Sequence, residues 1–122
     1  MTAAFSEATK MAVIDRAKGR CDRCGVIITT GANFHHRRPR GMGSTNRDES
    51  SSPANCLLLH PACHDYIERH RTEAQEKGWL VRQIDDPRLM PALVQGALCL
   101  LHEDGTVSAL SVGATWGSVH PR

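Results

Sequence analysis

Aromatic residues and membrane-directed segments are what this sequence has least of. Phe, Trp and Tyr make up only 4% of its 122 residues. The first ten residues, MTAAFSEATK, lack the apolar core of a secretory signal. The longest uncharged apolar run, residues 89–101, contains Pro, Gln and Gly and is too short to cross a bilayer. These absences favour a cytoplasmic protein without a membrane partner.

The five cysteines therefore need an explanation other than disulfide bonds, because thiols stay reduced in the cytoplasm. The length predicts a single domain over residues 1–122. A domain of this size buries about two thirds of its unfolded surface, so its core is small. A bound metal would add the stability that such a core lacks.

Acidic residues are missing from residues 33–47, a stretch that contains Arg37, Arg38, Arg40 and Arg47. Twelve of the fifteen basic residues of the chain are arginine, whose forked guanidinium suits phosphate groups. The net charge is nevertheless only +2, so the charge forms a local patch and the protein as a whole is not strongly basic. This distribution predicts that one face of the protein meets a polyanion.

The apolar periodicity predicts two helices. The first covers residues 6–18, with Ser6 as its N-cap and Gly19 as its stop. The second begins at His60 and runs to Lys77 before Gly78. The apolar stripe of the first helix is predicted to consist of Ala8, Met11, Ile14 and Ala17.

Short apolar runs between these helices predict strands at residues 26–30 and 34–38. The run at residues 56–59 is either a short strand or an extended lead-in to the second helix. Residues 39–55 are rich in Gly, Ser, Asn and Pro, which indicates a long loop. A hairpin is expected over residues 97–112, turning at Glu103-Asp104-Gly105. The resulting fold class is α+β.

Two pairs of sulfur and nitrogen ligands have the spacing of a tetrahedral zinc site. They are Cys21-x-x-Cys24 and His60-x-x-Cys63, each on a single turn. Thirty-five residues separate Cys24 from His60, so a shared zinc would tie two distant segments together. Cys56 is a rival ligand, although its apolar neighbours favour packing as a small hydrophobic residue. Cys99 is expected in the core.

A second group of polar residues comprises His35, His36, Asn55 and His64. On a helix, His64 and Glu68 would share one face, together with Arg71. Neighbouring side chains on a strand point to opposite faces, so the two adjacent histidines could perform separate tasks. The predicted arrangement brings an imidazole from a strand towards a histidine and a carboxylate from a helix.

The segments CDRCG, FHHRRPRGMGS, SPAN followed by LLL, and HPACHDYIE together resemble the HNH endonuclease family. The run from CDRCG to GWLV, residues 21–81, is especially similar to the small free-standing HNH proteins of actinobacteria and their phages. The resemblance as a whole covers residues 5–82, leaving residues 83–112 as a hairpin extension and residues 113–122 as a tail. The resemblance implies a small ββα-metal (His-Me finger) core with a structural zinc knuckle and an N-terminal helix.

The resemblance also implies a role for each matching residue. His35 and His64 would bind a catalytic divalent ion, Mg²⁺, Mn²⁺ or Ni²⁺, and Glu68 lies where some members carry a further ligand. His36 would be the general base, oriented by Asn55. The resemblance also implies a structural zinc knuckle, which consists of Cys21, Cys24, His60 and Cys63. In this knuckle His60 replaces the more usual cysteine.

The chemistry of phosphodiester hydrolysis agrees with these roles. An imidazole can take a proton from water near neutral pH, and a divalent ion can stabilise the phosphate and the leaving oxygen. Backbone phosphates of DNA, the expected partner, would be neutralised by Arg37, Arg38, Arg40 and Arg71.

The implied function is nicking or double-strand cleavage of DNA. The implied setting is the cytoplasm of a phage-infected bacterium, with a phage terminase as a possible partner in DNA packaging. Two alternatives remain open on the sequence, namely a zinc-stabilised nucleic-acid-binding module without catalysis and a cysteine-based redox protein. Restriction or homing would also accommodate a nuclease.

Overall fold

The computed structural model describes residues 5–39 and 51–110. Arg40, Arg47, most of the predicted long loop and the tail from residue 113 onwards lie outside these ranges. The described chain is a mixed α+β structure with two small antiparallel sheets. Within it, no helix combines the length and the apolar character that crossing a membrane requires.

Helix α1 (Glu7–Ala17) begins where the sequence predicts, because the Ser6 side chain accepts a hydrogen bond from the Thr9 amide. It ends at Lys18, which adopts the left-handed conformation. The predicted apolar stripe is only partly correct. Val13 and Ala17 are the buried residues of the helix, whereas Met11 is 56% exposed.

The first sheet is a hairpin of β1 (Asn33–His36) and β2 (Cys56–Leu59). The strands are antiparallel, with His35 opposite Leu57. All four residues of β2 are buried because helices lie on both sides of it, as its continuous apolar run indicates. The short 3-10 helix Pro53–Asn55 leads into β2.

Helix α2 (Pro61–Arg69) follows β2 directly and packs on both strands of the hairpin. The prediction of one helix to Lys77 is wrong, because the chain breaks at His70 and resumes as α3 (Arg71–Glu76). The His70 ring stacks on Tyr66, and its Nδ1 lies 2.9 Å from the Tyr66 carbonyl oxygen. This contact accompanies the non-helical backbone of His70 and separates the two helices.

A second sheet follows, with strand order β3 (Ala92–Val94), β4 (Ala97–Leu101) and β5 (Val107–Ala109). The predicted hairpin is confirmed by the β4–β5 pairing across residues 102–106. Strand β3 was not predicted. One hydrophobic cluster draws residues from both sheets and from the α-helices between them.

The strand predicted at residues 26–30 is wrong. Ile27 forms only an isolated bridge with Arg20, and Val26 and Ile27 are both more than half exposed. These apolar residues belong to a turn at the protein surface and not to a strand. The strand predicted at residues 34–38 ends at His36 instead, and Arg37 and Arg38 continue into the interior.

Candidate metal centres

The segment from Arg20 to Ile27 forms a tight turn that carries two cysteines. The Cys21 amide donates to the Val26 carbonyl at 2.8 Å, and the Gly25 amide donates to the Cys21 carbonyl at 2.8 Å. Gly25 has a φ of 82°, which glycine adopts without strain. The turn therefore directs two thiols to the same side.

The start of α2 supplies two further ligands. His60 is the N-cap of the helix, and Cys63 lies in its first turn. The Cys24 Sγ and the His60 Nε2 are 3.2 Å apart. One ligand atom from each of the four residues lies within 4.8 Å of the others. We call this group the Cys3His cluster; its members are Cys21, Cys24, His60 and Cys63.

The Cys3His cluster could hold a metal such as zinc. Three soft thiol ligands and one imidazole are a donor set that zinc binds tetrahedrally in structural sites. Burial raises the pKa of the Cys63 thiol to about 11, although Arg23 acts in the opposite direction. A bound cation must therefore displace a proton from this thiol, which makes binding dependent on pH.

The remaining cysteines lie outside this cluster. Cys56 is fully buried beside Phe5, Val13 and Leu58, and burial raises the pKa of its thiol to about 12. Cys99 is buried in the larger hydrophobic cluster. Both cysteines pack as small hydrophobic residues, as the sequence indicates.

A second potential metal site lies where α2 crosses the β1–β2 hairpin. One ligand atom from each of its three residues lies within 4.8 Å of the other two. The His35 and His64 rings meet edge to face with centroids 5.3 Å apart. We call this group the histidine cluster; its members are His35, His64 and Glu68.

The hydrogen bond of His35 defines which ring nitrogen is available. Its Nε2 lies 2.8 Å from the Trp79 carbonyl oxygen, which can only accept. Nε2 therefore carries the proton, and Nδ1 keeps a lone pair for a metal. Burial lowers the pKa of His35 to about 4, so the ring is neutral near pH 7. A neutral imidazole is the form that binds metal.

His36 points to the other side of β1, as alternation along a strand requires. Its ring stacks on Phe5, with centroids 4.1 Å apart and planes 21° from parallel. Phe5 is itself buried. The sequence offered no signal for this contact, since Phe5 lies before α1 and far from His36 along the chain.

Asn55 braces the chain that leaves β1. Its Oδ1 accepts a 2.7 Å hydrogen bond from the Arg38 amide, and its Nδ2 donates to the Arg38 carbonyl at 3.2 Å. The Asn55 backbone carbonyl also accepts from the Arg37 amide. These bonds hold the residues after His36 in a fixed path, while the expected role of Asn55 in orienting the His36 ring stays a prediction.

Arg37 and Arg38 do not form the exposed patch that the sequence predicts. The Arg37 guanidinium is fully buried and donates to four backbone carbonyls. Arg38 is 3% exposed and donates to the Asp85 carbonyl. Groups enclosed in this way cannot approach a backbone phosphate without leaving their partners. The expected phosphate contacts of these two residues stay a prediction, against which their burial argues.

Of the other two predicted phosphate contacts, Arg71 lies within the described residues and Arg40 does not. Arg71, the first residue of α3, is exposed and forms a 2.8 Å ion pair with Glu68 of α2 across the break at His70. It therefore lies beside the histidine cluster, although not on the single helix that the sequence predicts.

Two arginines with structural contacts were missed, because from the sequence alone an arginine is expected at the surface. Arg23 lies between the cluster cysteines, donates to the Cys63 Sγ at 3.3 Å and stacks on Tyr66. Arg16 is buried in an ion pair with Asp22 and donates to the carbonyls of Pro53 and of Cys56, the first residue of β2. The position of Arg23 within C-x-x-C was the one available signal.

The chain was compared with known proteins in three ways. No family model matches it, and no curated protein or solved structure matches it either. The geometry of the Cys3His cluster and the histidine cluster is therefore what a functional conclusion must rest on.

Proposed function

We propose that the chain is a metal-dependent DNA endonuclease that hydrolyses phosphodiester bonds, with an HNH-type ββα-metal core. The core would consist of β1, β2 and α2, which follow one another in the chain and pack together. The resemblance of its cysteine and histidine segments to HNH nucleases supports this assignment. The Cys3His cluster would serve as the structural zinc knuckle.

One observation carries the proposal. His35 and His64, which are 29 positions apart in the sequence, converge with Glu68 on one side of β1, while His36 occupies the other side. A cluster of two imidazole nitrogen donors and a carboxylate suits a divalent ion with open coordination positions. The adjacent histidine remains outside the ligand set and can act on protons.

The chain's own residues would divide the reaction. His36 would accept the proton of the attacking water, and the Phe5 ring would restrict the orientation of its imidazole. Asn55 would fix the backbone that follows His36. A divalent ion held by His35, His64 and Glu68 would supply charge stabilisation for the phosphate and the leaving 3′ oxygen. The expected products carry 5′-phosphate and 3′-hydroxyl ends.

DNA would be held by fewer arginines than the sequence indicates. With Arg37 and Arg38 enclosed, the proposed phosphate contacts are Arg71 and Arg40. Phosphate contacts position DNA without reading bases, so sequence preference from this core should be weak.

Plasmid cleavage tests the proposal directly. Zinc-loaded protein is incubated with supercoiled plasmid and Mg²⁺, Mn²⁺ or Ni²⁺, with and without EDTA. We expect relaxed and linear DNA to appear with at least one ion and to vanish with EDTA. Failure to relax the plasmid with any of these ions would contradict the enzyme assignment.

His36→Ala tests the general base, and His102→Ala serves as the matched control. Loss of a general base lowers rates by about 10²–10⁴-fold. His102 lies in the β4–β5 turn, on a different element from either cluster. Equal cleavage by His36→Ala and wild type would remove His36 from the mechanism even if the protein is a nuclease.

The non-catalytic binding module is the main alternative, and the same samples distinguish it. A pure binder would retard plasmid or duplex DNA in a gel without cutting it under any metal. The burial of Arg37 and Arg38 weakens this alternative, since it removes two of the charges on which binding alone would depend. Retarded but intact DNA in every metal condition would favour it.

The redox alternative predicts a different chemical behaviour of the cysteines. Cys21 and Cys24 converge with His60 and Cys63 in the arrangement of a metal site. About one zinc per chain by elemental analysis would support the structural zinc site and count against the redox alternative. An absence of zinc together with a reversible Cys21–Cys24 disulfide would favour the redox alternative.

The biological setting is also part of the proposal. We place the protein in the cytoplasm of a phage-infected bacterium, acting with a phage terminase in DNA packaging. Co-purification of the chain with a terminase subunit from infected cells would test this setting independently of cleavage.

A further inference from the structure

The Arg37 guanidinium joins three separate segments of the chain. Its Nε donates to the Gly78 carbonyl at 2.8 Å, and its Nη atoms donate to the carbonyls of Ala54, Pro87 and Met90 at 2.8 to 3.0 Å. The side chain is fully buried. An arginine with this number of backbone partners fixes the relative position of the segments that it contacts.

One of these segments is the Gly78–Trp79 turn, which has several anchors of its own. Gly78 has a φ of 78°, and a Cβ on it would lie 1.9 Å from the Pro91 oxygen. The Trp79 indole donates from Nε1 to the Leu93 carbonyl at 2.7 Å. The turn is thus held at both of its residues, by Arg37 at Gly78 and by Leu93 at Trp79.

The Trp79 carbonyl is the group that accepts the His35 Nε2–H. We propose that Arg37 and Trp79 are positioning residues, which hold this carbonyl in place and thereby keep His35 in the tautomer that offers Nδ1 to a metal. Arg37 is not a member of the histidine cluster. It acts through the Gly78–Trp79 turn on His35, two residues before it in the chain.

The chemical reason is that an imidazole has two tautomers of similar energy in water. A fixed carbonyl at Nε2 stabilises the tautomer with its proton there, and the same bond sets the rotation of the ring. The inference rests on the proposed function only in treating the histidine cluster as a metal site. The tautomer itself is a property of the protein without DNA.

The tautomer of wild-type His35 can be measured directly. Protein loaded with one equivalent of zinc and labelled with ¹⁵N on histidine is studied by long-range ¹H–¹⁵N correlation spectroscopy. We expect a protonated Nε2, an unprotonated Nδ1 and slow exchange of the Nε2 proton with water. An Nδ1–H tautomer at His35 would overturn the inference without any variant.

Arg37→Lys tests the positioning role, with Arg16→Lys as a matched control. Both arginines are buried and donate to backbone carbonyls, but the bonds of Arg16 go to Pro53 and Cys56. Loss of such support at a ligand typically lowers metal affinity about 10- to 100-fold. We expect this loss of Mn²⁺ affinity, and faster Nε2–H exchange, in Arg37→Lys and not in Arg16→Lys.

Equal loss of Mn²⁺ affinity in the two variants would reduce Arg37 to a general stabiliser and overturn the inference. If Arg37→Lys does not fold, Trp79→Phe removes the Leu93 anchor and should speed exchange of the His35 Nε2 proton. Unchanged exchange in Trp79→Phe would equally overturn it.

These measurements use no DNA, so their outcome does not depend on whether the protein is a nuclease. A protein that passes them and never cuts plasmid would contradict the nuclease assignment alone. A protein that cuts plasmid and fails them would contradict the positioning role alone.

Discussion

The two clusters use the same residue types in opposite ways. The Cys3His cluster has four ligands and joins the turn after α1 to the start of α2. The histidine cluster has three, and their exposure rises from the buried His35 through His64 to the exposed Glu68. Both groups reach the surface, the first at Cys24 and the second at Glu68. They differ in ligand number, because the first supplies a full tetrahedral set of four and the second supplies three.

Under the proposed function, this difference predicts which cluster stabilises the fold and which takes part in the chemistry. A closed set of four ligands leaves a metal no position for water or substrate, which is typical of structural sites. A three-ligand set with an exposed edge leaves such positions. The comparison predicts that damage to the first cluster unfolds the protein, whereas damage to the second leaves the fold intact and changes its chemistry.

The largest expected effect is at the Cys3His cluster. Structural zinc contributes about 10–16 kcal/mol in small zinc-binding peptides, which matches or exceeds the whole stability of a typical domain, about 5–15 kcal/mol. We therefore expect Cys21→Ser to lose zinc and its cooperative melting transition, as measured by elemental analysis and circular dichroism.

Cys56→Ala is the control for this loss, because Cys56 is equally buried but lies outside the cluster. It should keep one zinc per chain and lose about 1 kcal/mol, the usual cost of a small core substitution. If Cys21→Ser melts like wild type, the two clusters do not differ in the way described above.

The next effect concerns acid and His35. Burial lowers the pKa of His35 from 6.5 to about 4, so between these values the unfolded chain binds a proton that the folded protein does not. Its contribution, at most about 3 kcal/mol, is complete above pH 6.5 and is lost as the pH falls through about 4. Urea denaturation at several pH values, on samples that carry zinc in the Cys3His cluster and no metal in the histidine cluster, measures it.

His35→Gln isolates this contribution, because the Cys3His cluster is unchanged in it. The variant should show a flatter dependence of unfolding free energy on pH between 6.5 and 4 than wild type. Identical slopes in the two proteins would show that His35 is not buried as a neutral base.

A smaller effect is expected when ligands of the histidine cluster are removed one at a time. Without His35 or His64, Mn²⁺ binding measured by electron paramagnetic resonance should weaken at least about 10-fold, as loss of a ligand or its support does. His36→Ala should leave Mn²⁺ affinity unchanged, because His36 lies on the opposite side of β1. Zinc content should stay the same in all three variants.

Weakened Mn²⁺ binding in His36→Ala would contradict the division of labour between the adjacent histidines. Loss of zinc in His35→Ala or His64→Ala would contradict the independence of the two clusters. Either result would indicate a single coupled site in place of the separate sites described above.

The smallest effect is predicted at Arg71. Its ion pair with Glu68 is half exposed, and exposed pairs contribute about 0–1 kcal/mol to stability. Arg71→Gln should therefore melt close to wild type. It should reduce the dependence of DNA binding on salt by about one phosphate contact, and an unchanged salt dependence would remove Arg71 from the DNA interface.

The sequence predicted the elements near the clusters well, because their determinants are local. Ser6 caps α1 through a bond three residues away, and the C-x-x-C and H-x-x-C spacings place ligands on single turns. The continuous apolar run of β2 predicts a buried strand, and the structure has one at Cys56–Leu59. Local spacing was sufficient at these positions.

The errors arose where partners are distant in the sequence. Arg37 looks like a surface residue until the carbonyls of Gly78 and Met90 surround it, more than forty positions away. The break at His70 depends on its stacking against Tyr66, a rotamer choice that periodicity does not encode. Phe5 meets His36 only after α1 has packed on the hairpin.

The ligand positions of the Cys3His cluster have a consequence for how the chain folds during synthesis. All four ligands precede residue 64, whereas the three-stranded sheet begins at Ala92. Zinc can therefore close the N-terminal half while that sheet is still being translated. Gln95, once synthesised, donates from its side-chain Nε2 to the Ala17 carbonyl and from its backbone N–H to the Asp22 carbonyl. We expect folding to be ordered in time, with the zinc-bound half acting as the template on which the last sheet assembles.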